Sequence, residues 1–196
     1  SNLLNEIGKG LKPKVRCILQ LANRGAGNPD GGLFTASQFQ KHATAPIPGQ
    51  PPERGVIEIK PPGSDVGLTA TGAQVTKYWN KYGLVLVTNY RDFVLVGKDT
   101  RGKPVKLETY RLAGNEAAFW KLARHPQQAA KVHGVRFVEY LRRAMLHAAP
   151  LTAPEDVAWF LASYARDARA RVETAELEAL SAVRQALEEA LGLKFE

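Results

Sequence analysis

Apolar positions in the middle of the chain are spaced as in short strands. Residues 57–60 alternate apolar and polar side chains with the strand period of two, so Ile57 and Ile59 share one face and the two charged residues share the other. Continuous apolar runs at 84–88 and 93–96 are typical of strands buried on both faces. Two further strands are predicted, a short one at 32–35 and another at 105–112, after the turn at 102–104.

Helical spacing dominates the two ends of the chain. Apolar side chains predict a helix from residue 3 to about residue 22, which Pro13 is expected to break or kink. Further helices are predicted at 69–81, 115–123 and 127–148. Residues 152–155 form a capping box with proline in the first turn, which predicts that another helix begins there.

A last apolar stripe extends the helical pattern to Gly192. Its members are Leu177, Leu180, Val183, Leu187 and Leu191. Core or interhelical packing is the favoured interpretation of such stripes, and a partner-binding face is the alternative.

The order of the predicted elements defines the fold class. Helix, strand, strand, helix, strand and strand indicate an α/β protein with a mixed central sheet flanked by helices, followed by an all-helical extension. The 196 residues suit one domain with an appendage, so we predict a division into 1–113 and 114–196. Four prolines between residues 43 and 54 predict an extended loop before the central strand.

Charge is unevenly distributed along the chain. Residues 1–150 contain 22 basic and ten acidic side chains, a net charge of +12, whereas residues 151–196 carry −4. A basic body suits nucleic acid, because neutralising phosphates releases counterions. The alternative is that the basic balance only aids solubility.

Membrane and cysteine patterns limit the remaining classes. No run approaches the roughly 18 apolar residues of a membrane span, and no signal-peptide pattern stands near the start. Cys17 is the single cysteine, which excludes a disulfide within this sequence and a cysteine-based zinc site. It is expected to be a buried residue of the first helix. We therefore expect a cytoplasmic protein without a membrane partner.

Asp30, Glu58 and Lys60 are the candidate catalytic residues. Carboxylates suit Mg²⁺, with Mn²⁺ as a possible substitute, so Asp30 and Glu58 are predicted metal ligands together with the backbone carbonyl of Ile59. A metal held there would bind a scissile phosphate and lower the pKa of an attacking water. Lys60 would add positive charge for the transition state. A surface ion pair is the alternative interpretation of Glu58 and Lys60.

Gln74 and Tyr78 follow the strand with i, i+4 spacing, which places both on one face of the next helix. With Pro29-Asp30 and Glu58-Ile59-Lys60, these residues make the chain resemble the PD-(D/E)xK nuclease superfamily, including the Gln-x-x-x-Tyr pattern of RecB-type nucleases. The resemblance implies a restriction-endonuclease-like core with the order helix, strand, strand, strand, helix, strand. It also implies a site-supporting or substrate-contacting role for Gln74 and Tyr78. Some relatives have an extra metal ligand at the position of Glu6.

Residues 27–33, 55–60 and 86–93 resemble more closely the N-terminal nuclease of single-chain restriction-modification enzymes. In those enzymes a helical region and an adenine-specific DNA methyltransferase follow the nuclease. The resemblance therefore implies that residues 154–196 are a connector, and that the partners include methyltransferase and specificity regions of the same longer polypeptide. One departure is the long, proline-rich gap between Asp30 and Glu58.

Candidate DNA contacts lie in two predicted turns. Arg91 follows one strand, and Arg101 and Lys103 belong to a basic hairpin, where phosphate contacts would position DNA without reading bases. A plain turn and a solvated loop are the alternatives. The expected function is Mg²⁺-dependent endonucleolytic cleavage of double-stranded DNA in a restriction-modification or related defence enzyme. The alternatives are a non-catalytic DNA-binding module that retains the fold and a structural interaction domain.

Overall fold

The computed structural model describes residues 2–23 and 25–173, together with residues 181 and 185. The strands are β1 (Val15–Leu19), β2 (Gly31–Thr35), β3 (Val56–Ile59), β4 (Val85–Thr88), β5 (Asp92–Lys98) and β6 (Pro104–Arg111). The helices are α1 (Asn2–Lys9), α2 (Val66–Ala70), α3 (Ala73–Tyr82), α4 (Glu116–Ala123), α5 (Pro126–Met145) and α6 (Pro154–Glu173), with a 3-10 turn at Ala36–Gln38. The described residues fall into two compact units that divide between Ala149 and Pro150.

One mixed sheet contains the strands in the order β1-β2-β3-β4-β5-β6. Only β3 and β4 pair in parallel within this sheet, with Glu58 opposite Val87 and Ile59 opposite Thr88; the other neighbours are antiparallel. A parallel pair needs a long crossover connection, which α2 and α3 provide. The predicted mixed sheet flanked by helices is confirmed.

The two faces of the sheet pack against different helices. One face contributes alternate valines to a core that α2 and α3 complete; this core comprises Val56, Val66, Ala70, Val75, Tyr78, Val85, Val87, Val94 and Val96. On the opposite face, Ile57 and Ile59 line an apolar cavity of about 330 Å³ together with side chains of α1, α4 and α5. The charged residues that alternate with the isoleucines therefore lie on the α3 side.

The predicted helix over residues 3–22 is wrong beyond Lys9. Pro13 cannot donate a helical hydrogen bond, and the chain after it forms β1, paired antiparallel with β2. Cys17 is buried, as predicted, but on this strand. The side chain of Asn5 ties α1 to it: its amide nitrogen donates to the Cys17 carbonyl at 3.2 Å, and its carbonyl oxygen accepts from the Cys17 N–H at 2.7 Å.

The predicted helix over 69–81 is divided into α2 and α3 at Thr71 and Gly72. Asp65 caps α2 by accepting a hydrogen bond from the Leu68 N–H at 2.9 Å. The other predicted strands and helices are present within a few residues of their expected bounds. The last apolar stripe is not among them, because its five members, Leu177, Leu180, Val183, Leu187 and Leu191, lie outside the described residues.

The predicted division at residues 113 and 114 falls inside the first compact unit. This is because α5 packs on the sheet, where the rings of Phe93 and Phe137 lie 4.8 Å apart between centroids. Within the part of the chain that the structure describes, no helix is both long and apolar enough to cross a membrane.

Gly55 permits the close approach of β3 to the residue that precedes β4. Its φ is 89°, and a Cβ there would lie 2.4 Å from the carbonyl oxygen of Leu84. That same oxygen accepts a hydrogen bond from the Val56 N–H at 3.0 Å, so the contact begins the parallel ladder. A side chain at this position would displace the strand that carries the charged residues.

We expect Gly55→Ala to lower the free energy of unfolding by about 3 kcal/mol, because backbone strain and a steric clash add. Gly49→Ala is a matched control: Gly49 has nearly the same φ, 91°, but no atom within 4 Å of its Cβ position. The control should lose only about 1 kcal/mol. Urea unfolding of both variants measures the difference, and equal losses would contradict the role of the Leu84 contact.

Candidate active site

The three predicted catalytic residues meet at one edge of the sheet. Glu58 and Lys60 lie at the carboxyl-terminal end of β3, and Asp30 directly precedes β2. Because Gly31 at the start of β2 pairs with Ile57, Asp30 reaches the same end of the sheet. Residues 28 positions apart in sequence are thus brought together by an antiparallel strand pair.

The Asp30 side chain provides β3 with a hydrogen-bond acceptor that the backbone of β2 does not provide. The N–H groups of Val56 and Lys60 donate to the β4 side, so the Ile59 N–H points toward β2. The backbone pairing of β2 with β3 ends at Gly31, and the Asp30 carboxylate accepts from the Ile59 N–H at 2.7 Å instead. The carboxylate is therefore fixed against the strand segment between Glu58 and Lys60.

Glu58 and Lys60 form an ion pair in which the carboxylate is buried. Their Oε1 and Nζ atoms are 2.6 Å apart, and the side chains are 3% and 34% exposed. Burial raises the pKa of Glu58 above its ordinary value, with Lys60 opposing and Asp30 adding to the effect. The hydrogen bond to Glu58 raises the pKa of Lys60, and the Asp30 carboxylate acts in the same direction. Both carboxylates are therefore within electrostatic reach of the ammonium group.

Tyr78 lies in the core beneath this cluster and is 0% exposed. Its hydroxyl accepts a hydrogen bond from the side chain of Gln74 at 2.8 Å. Burial raises the pKa of Tyr78, and the charges of Glu58 and Asp30 reinforce the shift. Gly27 packs closely here, since its Cβ position is 3.4 Å from the hydroxyl. Tyr78 is thus buried against the cluster, whereas the side chain of Gln74 is exposed.

Lys81 is a neighbour that the sequence analysis missed. Gln74, Tyr78 and Lys81 have i, i+4, i+7 spacing, so they share one face of α3. The Cβ position of Gly25 is 3.4 Å from the Lys81 Nζ, so the glycine-rich turn before Asp30 lies along this face. The i, i+4, i+7 spacing in the sequence could have identified Lys81 as a neighbour of Gln74 and Tyr78. Its contact with the turn depends on tertiary packing and could not be predicted in this way.

Glu6 does not join the other carboxylates. It belongs to α1, which covers the opposite face of the sheet, and its side chain is 69% exposed. The carboxylate pairs instead with Lys9 on the same helix, with Oε1 and Nζ 2.5 Å apart.

The predicted DNA contacts are divided between the two ends of β5. Arg91 stands at the edge that contains Lys60, where its Nε donates to Asp92 at 2.9 Å. Arg101 and Lys103 are in the turn after the opposite end of the strand, where their backbone N–H groups donate to Asp99. At about 3.4 Å per residue the strand separates the two positions by roughly 20 Å. The structure therefore brings only Arg91 to the candidate site.

The donor atoms at this edge suit a hard cation. Asp30 and Glu58 offer carboxylate oxygens. The Ile59 carbonyl belongs to the residue that follows Glu58 and that Asp30 contacts through its N–H. Among the described residues, no group of three or more His, Cys, Asp or Glu side chains converges as a metal site. Two carboxylates fit Mg²⁺, which keeps waters and substrate oxygens in its shell, better than they fit a cation that needs a full protein cage.

Comparisons with known proteins return no match: no family model, curated protein or solved structure is similar to this chain.

We expect Asp30→Ala to lower the free energy of unfolding by about 2 kcal/mol, because the Ile59 N–H loses a charged acceptor. Asp30→Asn keeps an acceptor oxygen at this position and should lose less than half as much. Urea unfolding of the two variants tests the difference. If both lose the same free energy, the charge of Asp30 and not its hydrogen bond holds the strands together.

Proposed function

We propose that this protein is a Mg²⁺-dependent endonuclease that hydrolyses phosphodiester bonds of double-stranded DNA. The observation that carries the proposal is the convergence of Asp30 with the Glu58–Lys60 pair at one edge of the sheet, through the 2.7 Å hydrogen bond to Ile59. Two carboxylates can hold a divalent cation, and an ammonium group beside them can stabilise negative charge, so these side chains suit metal-assisted phosphodiester hydrolysis.

The order of the elements supports the same proposal. Apart from the five-residue α2 that precedes α3 and the 3-10 turn after β2, the chain from α1 to β4 follows the order helix, strand, strand, strand, helix, strand. This is the core order of the PD-(D/E)xK superfamily, so the topology is consistent with a restriction-endonuclease-like fold. The net charge of +12 on residues 1–150 suits a DNA partner.

Each residue has a distinct role in the proposed reaction. Asp30, Glu58 and the Ile59 carbonyl would hold the cation, and Glu58 can do so while paired with Lys60, because a carboxylate has two oxygens. When bound, Mg²⁺ neutralises charge on the scissile phosphate and lowers the pKa of the attacking water. Lys60, one third exposed, presents positive charge to the phosphate oxygens as negative charge develops.

Tyr78 positions this machinery without touching the substrate. Its ring fills the core between α3 and the sheet, and its hydroxyl anchors Gln74 at 2.8 Å. The exposed amide of Gln74 is thereby oriented at the rim of the site. The context of a restriction-modification or related defence enzyme, with methyltransferase and specificity regions in a longer polypeptide, is part of the proposal and rests on the sequence resemblance.

We expect Glu58→Gln and Lys60→Met each to reduce Mg²⁺-dependent nicking of supercoiled plasmid by about 100-fold or more. The exposed pair on α1 supplies matched controls, since Glu6→Gln and Lys9→Met make the same chemical changes on the opposite face. Both controls should cut at the wild-type rate.

Equal cutting by Glu58→Gln and the wild type would contradict the proposal. Calorimetric titration with Mn²⁺ adds a measurement that does not depend on turnover: the wild type should bind the ion and Glu58→Gln should not. A non-catalytic DNA-binding module predicts salt-sensitive binding of DNA without metal-dependent cleavage. A structural interaction domain predicts no site-dependent binding of the metal ion.

A further inference from the structure

A second cleft lies beside the candidate active site, on the same face and the same edge of the sheet. It has a volume of about 710 Å³ and runs between the start of α2 and strands β5 and β6. Its basic side chains are Arg91, Lys106 and Arg111, and we call it the arginine cleft. The proposed catalytic residues do not line it.

A buried carboxylate holds two of these side chains in place. Asp92 accepts from the Nε of Arg91 at 2.9 Å and from the Nε of Arg111 at 2.5 Å. An arginine has five N–H donors, so each guanidinium retains others for a ligand. The Arg111 side chain is 67% exposed, whereas that of Arg91 is 15% exposed. Of the two arginines, Arg111 is therefore the one that is more accessible to a ligand in the cleft.

The wall of the cleft is fixed by Asn89, which is fully buried. Its side-chain oxygen accepts from the N–H groups of Arg91 at 3.0 Å and Asp92 at 2.6 Å. Its amide nitrogen donates to the carbonyls of Pro62 at 3.2 Å and Ser64 at 2.8 Å. The segment that directly follows Lys60 is thus held against the turn that carries Arg91.

The chemistry of the accessible surface favours a phosphate ligand. The acidic lining residues are engaged: Asp92 lies buried behind the arginines, and Asp65 caps α2. The groups that face solvent include the guanidinium of Arg111, the ammonium of Lys106 and the hydroxyl of Thr109. A guanidinium held at a fixed angle matches the geometry of a phosphate group.

We propose that the arginine cleft binds the sugar-phosphate backbone of duplex DNA, with Arg111 as the principal contact. The inference rests on the proposed function, because it takes Lys60 as the position of the scissile phosphate. Three strand spacings of about 4.8 Å separate β3 from β6, a distance of about 14 Å. A phosphate held by Arg111 would therefore lie about 14 Å in a straight line from the bond that is cut, which is well within one turn of a duplex, about 34 Å of rise.

We test the cleft with a 30-base-pair duplex in EDTA, where cleavage cannot interfere, over a series of salt concentrations. Loss of one phosphate contact should lower the slope of log Kobs against log salt by about 0.9 in Arg111→Ala. Arg111→Lys keeps the charge and should keep the slope. Arg124→Ala removes an exposed arginine from the end of α4, on the opposite face, and should match the wild type.

An unchanged slope in Arg111→Ala, or no binding of the duplex by the wild-type chain, would overturn the inference. Thermal unfolding controls for loss of structure, since Asp92 retains Arg91 as a partner in this variant. Failure of the proposed catalysis would look different: the wild type would not cut DNA with Mg²⁺, while its salt slope still depended on Arg111.

Discussion

The hydrogen bond between Asp30 and the Ile59 N–H joins the sheet where its pairing changes from antiparallel to parallel. On one side β3 loses its backbone partner after Ile57, and on the other it continues along β4 to Lys60. The Asp30 side chain thus accepts the hydrogen bond that no backbone carbonyl of β2 accepts at this point. The same carboxylate then stands beside Glu58, so one residue provides the acceptor that the strand requires and a second negative charge for the proposed metal site.

The local sequence predicted those elements whose apolar residues repeat with the period of either a strand or a helix. The alternation at 57–60 gave β3 and the orientation of Glu58 and Lys60, since neighbours two apart share a face in any strand. The first strand was missed because the apolar positions of residues 15–19 also fit a helix over so short a span. Only pairing with β2 decides between the two, and this strand completes the core order on which the proposed fold depends.

Residues remote in sequence were predicted less well, because their positions depend on which face and which end of the sheet they occupy. Glu6 was expected near the carboxylates, but its helix packs on the opposite face. Arg101 and Lys103 lie in a basic turn that the direction of β5 carries away from the site. No sequence pattern marked Arg111 as a candidate. The antiparallel pairing of β6 with β5 places it opposite Asp92. The order of the strands in the sheet, and not the amino-acid composition, therefore determines which basic residues lie close to one another.

The contact of Asn5 with Cys17 has a consequence for assembly. As one of the two edge strands of the sheet, β1 would expose unpaired backbone groups, which invite strand addition from another molecule. By donating to the Cys17 carbonyl and accepting from its N–H, the Asn5 amide imitates an antiparallel neighbour at this residue. Strand addition along this border is thereby opposed at Cys17 by a single side chain.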